Sequence, residues 1–400
     1  MLYEQKRKEG ETMKQKLYSV VDSLKETLWD LSDQIHDHPE IGFQEYFAVG
    51  LLTDCLKKHG FSVETGIYGA PTSFRCVYQI GEGGPSIGLL CEYDALRGLG
   101  HGCAHHMQGP VAVGAAIALK EVLDASTPCK IVVYGCPDEE GAAAGGKLVM
   151  CENGGFRDID VALISHGSAN TQADRQSLAR VKFNVDFSGP DGLEATSATE
   201  AMLLAFQAFE FMREHVKDDT RLHYCPIQES GQPGIVSNHA KATFEIRSRS
   251  NGRLDTMVDW VKDIVRAACM MTETTFTISK ESKYYGKFPV EILHELFYAN
   301  AEQADAHKIA PPRPRTGSTD FGNVMQVVPG IGIRLCIMEE NYPIHSQEWV
   351  DAGKGDRCHQ AILDGAKILA GMSLDLAQDP AKLQRMKEEY VVAKAEAAAN

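Results

Sequence analysis

The sequence lacks the features that mark several classes of protein. Its 400 residues contain no run that approaches the roughly 18 consecutive apolar residues of a membrane-spanning helix. Positive charge is the minority, because the chain has 40 Lys and Arg residues and 55 Asp and Glu residues, which give a net charge of −15. We therefore expect neither nucleic acid nor a membrane as a partner. The first 15 residues lack the apolar segment of a secretory signal, and the 11 cysteines show no disulfide-framework spacing, which favours a cytoplasmic globular protein.

Four short apolar runs alternate with helical stretches along the chain. The runs cover residues 86–91, 130–135, 161–164 and 331–336, and an alanine-rich helix is expected over 109–123. This alternation predicts an α/β fold in which a central mixed, mostly parallel sheet has helices on both faces.

The pattern changes in the middle of the sequence. Residues 181–187 and 242–247 alternate between apolar and polar with a period of two. Helical stretches at 201–215 and 254–270 lie between these segments and a strand-like segment at 275–278. Such a pattern predicts a small α+β unit whose sheet has one solvent-exposed face. We therefore expect a discontinuous catalytic domain, residues 1–178 and 290–400, interrupted by an inserted domain over residues 179–289.

Residues that commonly bind metals follow three of the predicted strands. The first run leads to Cys103 and His105, the second to Glu139 and Glu140, and the third to His166. Because ligands bind beyond the carboxyl ends of strands in open α/β sheets, we expect one converging site. In an extended chain Cys103 and His105 would project from the same side, and thiolate with imidazole favours a transition metal. Glu139 and Glu140 would point in opposite directions, which suits one metal ligand and one base. Each residue alone has an ordinary structural explanation, so the prediction depends on their co-occurrence.

Short motifs occur in a fixed order over nearly the whole chain. They are His38-Pro39-Glu40-Ile41-Gly42 with Glu45, Glu92-Tyr93-Asp94-Ala95-Leu96, Gly100-His101-Gly102-Cys103-Ala104-His105, Gly135-Cys136-Pro137-Asp138-Glu139-Glu140-Gly141, His166, Gly317-Ser318-Thr319-Asp320-Phe321-Gly322-Asn323 and Pro343-Ile344-His345. In this order they resemble the motifs of the M20 metallopeptidase/amidohydrolase family. The sequence is most similar to the subgroup of aminobenzoyl-glutamate hydrolases, auxin-conjugate amidohydrolases and N-acyl-amino-acid aminoacylases.

The resemblance implies a centre that holds two divalent transition metal ions, zinc or manganese, with cobalt and nickel as alternatives. Matching the motif positions implies Glu139 as the general base and metal ligands at Cys103, His105, Glu140, His166 and His345. Two cations would lower the pKa of a water between them and polarise the amide carbonyl. Glu139 would accept the proton of that water and pass it to the leaving amine. The family also implies a zinc-exopeptidase-like fold and a homodimer formed through the inserted domain, which would serve as a lid.

The inserted domain departs from the family pattern. Family members usually carry a histidine shortly after the first strand of this domain, where it helps to hold the substrate carbonyl, but the segment 187–195 contains none. Asn238 and His223 are candidates to replace it, although His223 is also explained as a partly exposed residue at a strand end. Arg247 would bind a substrate carboxylate as a bidentate fork or form a surface salt bridge. Ser318 would line the substrate pocket or cap a helix.

These observations predict a metal-dependent amidohydrolase. Its partner would be a small molecule, and it would cleave the amide bond of an N-acyl or N-aroyl amino acid or of a dipeptide-like conjugate. Two alternatives stay open. One is a metal-dependent hydrolase of a carbamoyl or amidino group, because the family includes such enzymes. The other is a binding protein that keeps the fold without turnover.

Overall fold

The computed structural model describes residues 2–141, 144–190, 196–229, 234–314 and 316–399. Contacts divide the chain into two compact units, of which the first consists of Met1–Arg175, Phe288–Arg315 and Asn323–Ala393. The second consists of Gln176–Lys287, Thr316–Gly322 and Lys394–Asn400. The short segment 316–322, which the sequence pattern assigns to the catalytic domain, thus belongs to the second unit. None of the helices in the described part of the chain has the length and apolar content that crossing a membrane requires.

The strands of the described residues form two sheets. In chain order they are Ser62–Thr65 (β1), Phe74–Ile80 (β2), Ser86–Cys91 (β3), Cys129–Gly135 (β4), Val161–Ser168 (β5), Gln172–Ala173 (β6), Ala179–Ser188 (β7), Arg221–Glu229 (β8), His239–Ser248 (β9), Thr275–Tyr284 (β10) and Gly330–Cys336 (β11). The first unit contains the sheet with strand order β1-β2-β4-β3-β5-β11-β6, and the second unit contains the sheet with order β10-β7-β9-β8.

The first sheet is mixed and has a parallel centre. Its strands β4, β3, β5 and β11 are parallel neighbours, whereas β1, β2 and β6 pair antiparallel at the two edges. Nearly every residue of β3, β4 and β5 is buried. A strand that is covered on both faces has no solvent-exposed side, so its sequence becomes a continuous apolar run. This confirms the mixed, mostly parallel sheet that the four apolar runs predict.

Helices cover this sheet, and one of them is apolar on all sides. In chain order the helices of both units are Leu2–Ser23 (α1), Lys25–Asp37 (α2), Tyr46–Lys58 (α3), Gln108–Val122 (α4), Gly146–Glu152 (α5), Ala198–Met212 (α6), Asn251–Thr272 (α7), Glu291–Gln303 (α8), Phe321–Val327 (α9), Gln347–Ala352 (α10), Asp356–Gln378 (α11) and Pro380–Ala399 (α12). Of these, α6 and α7 belong to the second unit and do not cover this sheet. Helix α4 contacts β3, β4 and β5 on one side and packs against α1, α2 and α11 on the other. An apolar surface all round is typical of a helix enclosed in this way.

The second unit is the α+β unit that the period-two alternation predicts. Its four strands are antiparallel, and buried residues occupy every second position of β9. Helices α6 and α7 pack together and contact the strands. The core of this unit includes the aromatic side chains of Phe183, Phe209 and Phe244.

A glycine at the end of β4 allows close packing directly before the residues of the candidate site. A Cβ added to Gly135 would lie 2.2 Å from the ring of Phe74, a side chain with no solvent exposure. The ring cannot move away without displacing its own buried neighbours. A glycine at this position therefore lets β2 and β4 pair next to the aromatic ring.

We expect Gly135→Ala to lower the free energy of unfolding by about 1–3 kcal/mol, because it overpacks the core. Gly50→Ala is the matched control: Gly50 lies within α3, and an added Cβ there meets no atom within 4 Å. The same substitution at Gly50 should raise the free energy of unfolding by about 1 kcal/mol through helix propensity. Urea denaturation of both variants measures the two effects. Equal changes in the two variants would contradict the packing argument.

Candidate metal centre

The carboxyl ends of β3, β4 and β5 lead directly to the polar residues of the site. Because β4, β3 and β5 are parallel neighbours, these ends lie at one edge of the sheet. The structure brings the predicted metal ligands together in two overlapping groups. All of them belong to the first unit.

The two groups share the sulfur of Cys103. One contains Cys103, His105 and His166, and the other contains Cys103, Glu140 and His345. Within each group the ligand atoms lie within 4.8 Å of one another. Cys103 Sγ is 3.2 Å from His166 Nε2, and His345 Nε2 is 3.5 Å from Glu140 Oε2. A shared sulfur between two sets of donors is an arrangement that can hold two cations side by side.

The local backbone differs from the extended chain that the geometric prediction from sequence assumes. Ala104 has a left-handed φ of 59°, and His105 begins a short 3₁₀ helix. Glu139 and Glu140 lie in a turn that follows Asp138, whose φ is 55°. The assumption of extended segments is therefore wrong at both places. The candidate ligands meet because tight turns direct their side chains to one point.

Asp94 orients two of the candidate ligands. Its Oδ1 accepts a hydrogen bond from His105 Nδ1 at 2.9 Å, and its Oδ2 accepts one from the backbone N–H of Glu140 at 2.9 Å. When His105 is neutral, this contact keeps its one proton on Nδ1, so that the lone pair of Nε2 can bind a metal. A carboxylate that holds a ligating histidine in this way is typical of metal sites.

Burial and neighbouring charges set the protonation of the candidate ligands. Burial raises the pKa of the Cys103 thiol to about 12. Burial alone would lower the pKa of His105, but the Asp94 carboxylate holds it well above its usual value. Burial, together with the charge of Arg334, lowers the pKa of His166 well below its usual value. A bound cation would favour the thiolate form of Cys103 over the thiol, because metal coordination deprotonates the sulfur.

The donor atoms of this centre fit a transition metal. His105 Nε2 and Glu140 Oε1 are buried and have no hydrogen-bond partner among the described residues. Buried polar atoms are usually hydrogen-bonded, so these two atoms without a hydrogen bond indicate a partner of another kind. Sulfur, imidazole nitrogen and carboxylate oxygen together form the mixed donor set that zinc and related metals accept.

Two further carboxylates approach His105. Glu139 Oε2 lies 3.9 Å from His105 Nε2, and Glu92 Oε2 lies 3.3 Å from the same atom. The Glu139 side chain is 15% exposed, whereas that of Glu92 is 3% exposed. Glu92 and Asp94 belong to one of the sequence motifs, but sequence reasoning gives neither residue a role. Their spacing of two directly after a buried strand was the available signal.

Glu45 and Asp138 support the turn that follows β4. Glu45 Oε1 accepts a hydrogen bond from the Asp138 N–H at 2.9 Å. Asp138 Oδ2 accepts hydrogen bonds from the N–H groups of Ala144 and Gly145 at 2.8 and 2.9 Å. Burial raises the pKa of Glu45 to about 7. The first motif of the sequence therefore contributes, through Glu45, to the shape of the turn and not to the set of ligands.

The four candidate substrate residues belong to the second unit. His223 is exposed on β8, and Asn238 directly precedes β9. Arg247 Nε donates to a carboxylate on the same strand at 2.7 Å, which is the salt bridge that the sequence offers as the alternative. Ser318 Oγ is buried and has no hydrogen-bond partner in the described part of the chain. Residues 191–195 of the segment that lacks the family histidine lie outside the described residues.

Proteins of known family share this chain's sequence pattern. The profile of peptidase family M20/M25/M40 matches residues 90–375, which include every member of the centre. The Xaa-Arg dipeptidase of Mus musculus is 30% identical over 96% of this chain and 93% of its own length. A p-aminobenzoyl-glutamate hydrolase chain of Escherichia coli K12 is 27% identical over 94% of this chain and 95% of its own length.

A solved structure shares the fold. A Bacillus subtilis protein, described as a dinuclear metal binding peptidase from the M20 family, matches with a TM-score of 0.68. The match covers 89% of this chain and 99% of that chain at 13% identity. The family profile and the dipeptidase confirm the resemblance that the sequence motifs indicate. The chain therefore belongs to peptidase family M20/M25/M40 and is a hydrolytic enzyme that acts on amide bonds.

Proposed function

We propose that this enzyme is a metal-dependent amidohydrolase that cleaves the amide bond of an N-acyl or N-aroyl amino acid, or of a dipeptide-like conjugate. The observation that carries the proposal is the Cys103 sulfur shared by two groups of candidate ligands, with the Glu139 carboxylate close to His105. The names of two relatives describe a dipeptide and an aroyl-glutamate as substrates. Both compounds are amides in which an amino acid provides the nitrogen.

The proposal assigns two divalent transition metal ions, zinc or manganese, to the centre. Cys103, His105 and His166 would hold one ion, and Cys103, Glu140 and His345 would hold the other. When bound, such ions polarise the amide carbonyl and lower the pKa of a water molecule.

Proton transfer is the part of the reaction that the chain itself performs. Glu139 Oε2 lies 3.9 Å from His105 Nε2, and the Glu139 side chain stays 15% exposed. It accepts the proton of the attacking water and passes it to the leaving amine. Asp94 holds His105 and the backbone of Glu140 in place while this occurs.

Metal content and turnover, measured on one preparation, test the proposed function. We expect two metal ions per chain and a chelator-sensitive release of amino acid from N-acyl amino acids, N-aroyl amino acids or dipeptides. Carbamoyl and amidino amino acids belong in the same panel. Turnover of these compounds alone would favour hydrolysis of a different C–N bond. A protein without bound metal that stays inactive after metal addition would refute the proposal.

We expect Glu139→Ala to keep its metal but to lose at least about 100-fold in turnover, the usual minimum contribution of a general base. Glu140→Ala is the matched control, because it removes the neighbouring carboxylate, which belongs to a ligand group. This second variant should lose metal as well as activity. Elemental analysis and steady-state kinetics of the two variants measure the difference. If Glu139→Ala loses metal and Glu140→Ala keeps it, Glu139 is the ligand and Glu140 is the base.

We expect Cys103→Ala to lose metal from both groups, because its sulfur belongs to both. His166→Ala and His345→Ala should each lose less metal, because each histidine belongs to one group. Cys91→Ala serves as the control, since Cys91 is also buried but lies outside these groups. The measurement is metal stoichiometry after dialysis. Full metal stoichiometry in Cys103→Ala would show that the Cys103 sulfur is not a metal ligand.

The proposal includes a cytoplasmic homodimer formed through the second unit. This unit exposes large apolar side chains, including Leu203 and Phe211 on α6 and Ile227 on β8, which are 56%, 65% and 50% exposed. Exposed apolar side chains that form one contiguous patch mark a surface that binds another protein, and the proposal assigns this role to these residues. Sedimentation equilibrium measures the assembly, and a monomer at high protein concentration would contradict it.

A further inference from the structure

A buried ion pair lies beside the candidate metal centre. Lys147 Nζ is 2.8 Å from Glu92 Oε1, and the two side chains are 0% and 3% exposed. Glu92 directly follows β3, and Lys147 is the second residue of α5. Neither residue belongs to the ligands or the base that the proposed function requires.

Both carboxylate oxygens of Glu92 are engaged. Oε1 faces Lys147, and Oε2 accepts a hydrogen bond from Gln108 Nε2 at 2.7 Å. The backbone N–H of Glu92 in turn donates to Gln108 Oε1 at 3.0 Å. The same Oε2 lies 3.3 Å from His105 Nε2, the nitrogen that is available to a metal. One carboxylate thus connects a buried ammonium group with a candidate ligand.

The backbone around Lys147 is built for close packing. A Cβ added to Gly146 would lie 1.8 Å from the carbonyl oxygen of Pro137, so a glycine is needed where α5 begins. The Gly146 N–H also donates to the carbonyl oxygen of Asp138 at 3.2 Å. The start of α5 is therefore fixed against the segment that leads to Glu139. A fully buried ammonium is costly, and Glu92 offsets its charge at this position.

We propose that Lys147 and Glu92 form a charge-balancing pair that sets the metal affinity of the centre. The inference rests on the proposed function, because it requires that the centre binds cations. Glu92 places a negative charge next to His105 and favours a cation there, whereas Lys147 opposes one. Charges buried this close to each other interact strongly because little water screens them. Both residues act as positioning residues. Because the Glu92 oxygens are already held by Lys147 and Gln108, proton transfer is the task of Glu139.

The test is the zinc dissociation constant, measured by competition with a chromogenic chelator. Lys147→Met should bind zinc about tenfold more tightly, because it removes a positive charge, and Glu92→Gln should bind zinc about tenfold more weakly. Lys14→Met is the matched control, since Lys14 forms a 2.8 Å pair with Asp375, and these side chains are 11% and 15% exposed. Its zinc affinity should equal that of the native chain.

A purely structural ion pair predicts a different pattern. In that case Lys147→Met and Glu92→Gln would both weaken zinc binding, or neither would change it, and either result overturns the inference. If Lys147→Met does not fold, the double variant Glu92→Gln/Lys147→Met, which removes both charges, is measured in its place. The double variant should bind zinc about tenfold more tightly than Glu92→Gln alone, and equal affinity would overturn the inference. Absence of zinc binding by the native chain would instead refute the proposed function, on which the inference rests.

Discussion

The Asp94 carboxylate is the group on which the arrangement of the candidate metal centre depends. Its two oxygens accept hydrogen bonds from His105 Nδ1 and from the Glu140 N–H, so one side chain joins the segment after β3 to the turn after β4. Both segments leave the same edge of the sheet, because β3 and β4 are parallel neighbours. The buried strands therefore decide where the polar residues meet. Asp94 then connects the two segments through its two hydrogen bonds.

Burial gives the centre its chemical character. Cys103, His105 and Glu92 are almost inaccessible to solvent, and burial raises the pKa of the Cys103 thiol to about 12. In such surroundings a charge or polar atom without a partner is costly. Asp94 pairs with one nitrogen of His105, and Lys147 pairs with Glu92. His105 Nε2 and Glu140 Oε1 stay without a hydrogen-bond partner among the described residues, and these are the atoms that a cation would satisfy.

The sequence allows the parallel strands to be predicted because burial on both faces turns each of them into an apolar run. It does not indicate β1 or β8, since Ser62–Thr65 is largely exposed and β8 exposes most of its described side chains. Cys103 could be predicted as a ligand from its residue type and its place after a strand. His345 could be assigned through the resemblance alone, because it lies in a loop at a φ of 65° without a periodic pattern. Lys147 carried no signal, since lysine is ordinarily exposed.

Three glutamates lie around the centre, and the contacts of each one fit a different role. The oxygens of Glu92 are engaged by Lys147 and Gln108, so this carboxylate is held as a fixed charge. The backbone of Glu140 is held by Asp94, and its carboxylate belongs to a ligand group. Glu139 is outside the two groups that share the sulfur, keeps 15% of its side chain exposed and lies 3.9 Å from His105 Nε2. A general base has to reach both a water molecule and a departing amine, and this position suits that task. The protein surrounds each of the three glutamates differently, and these surroundings fit the roles proposed for them: a fixed charge, a ligand and a base.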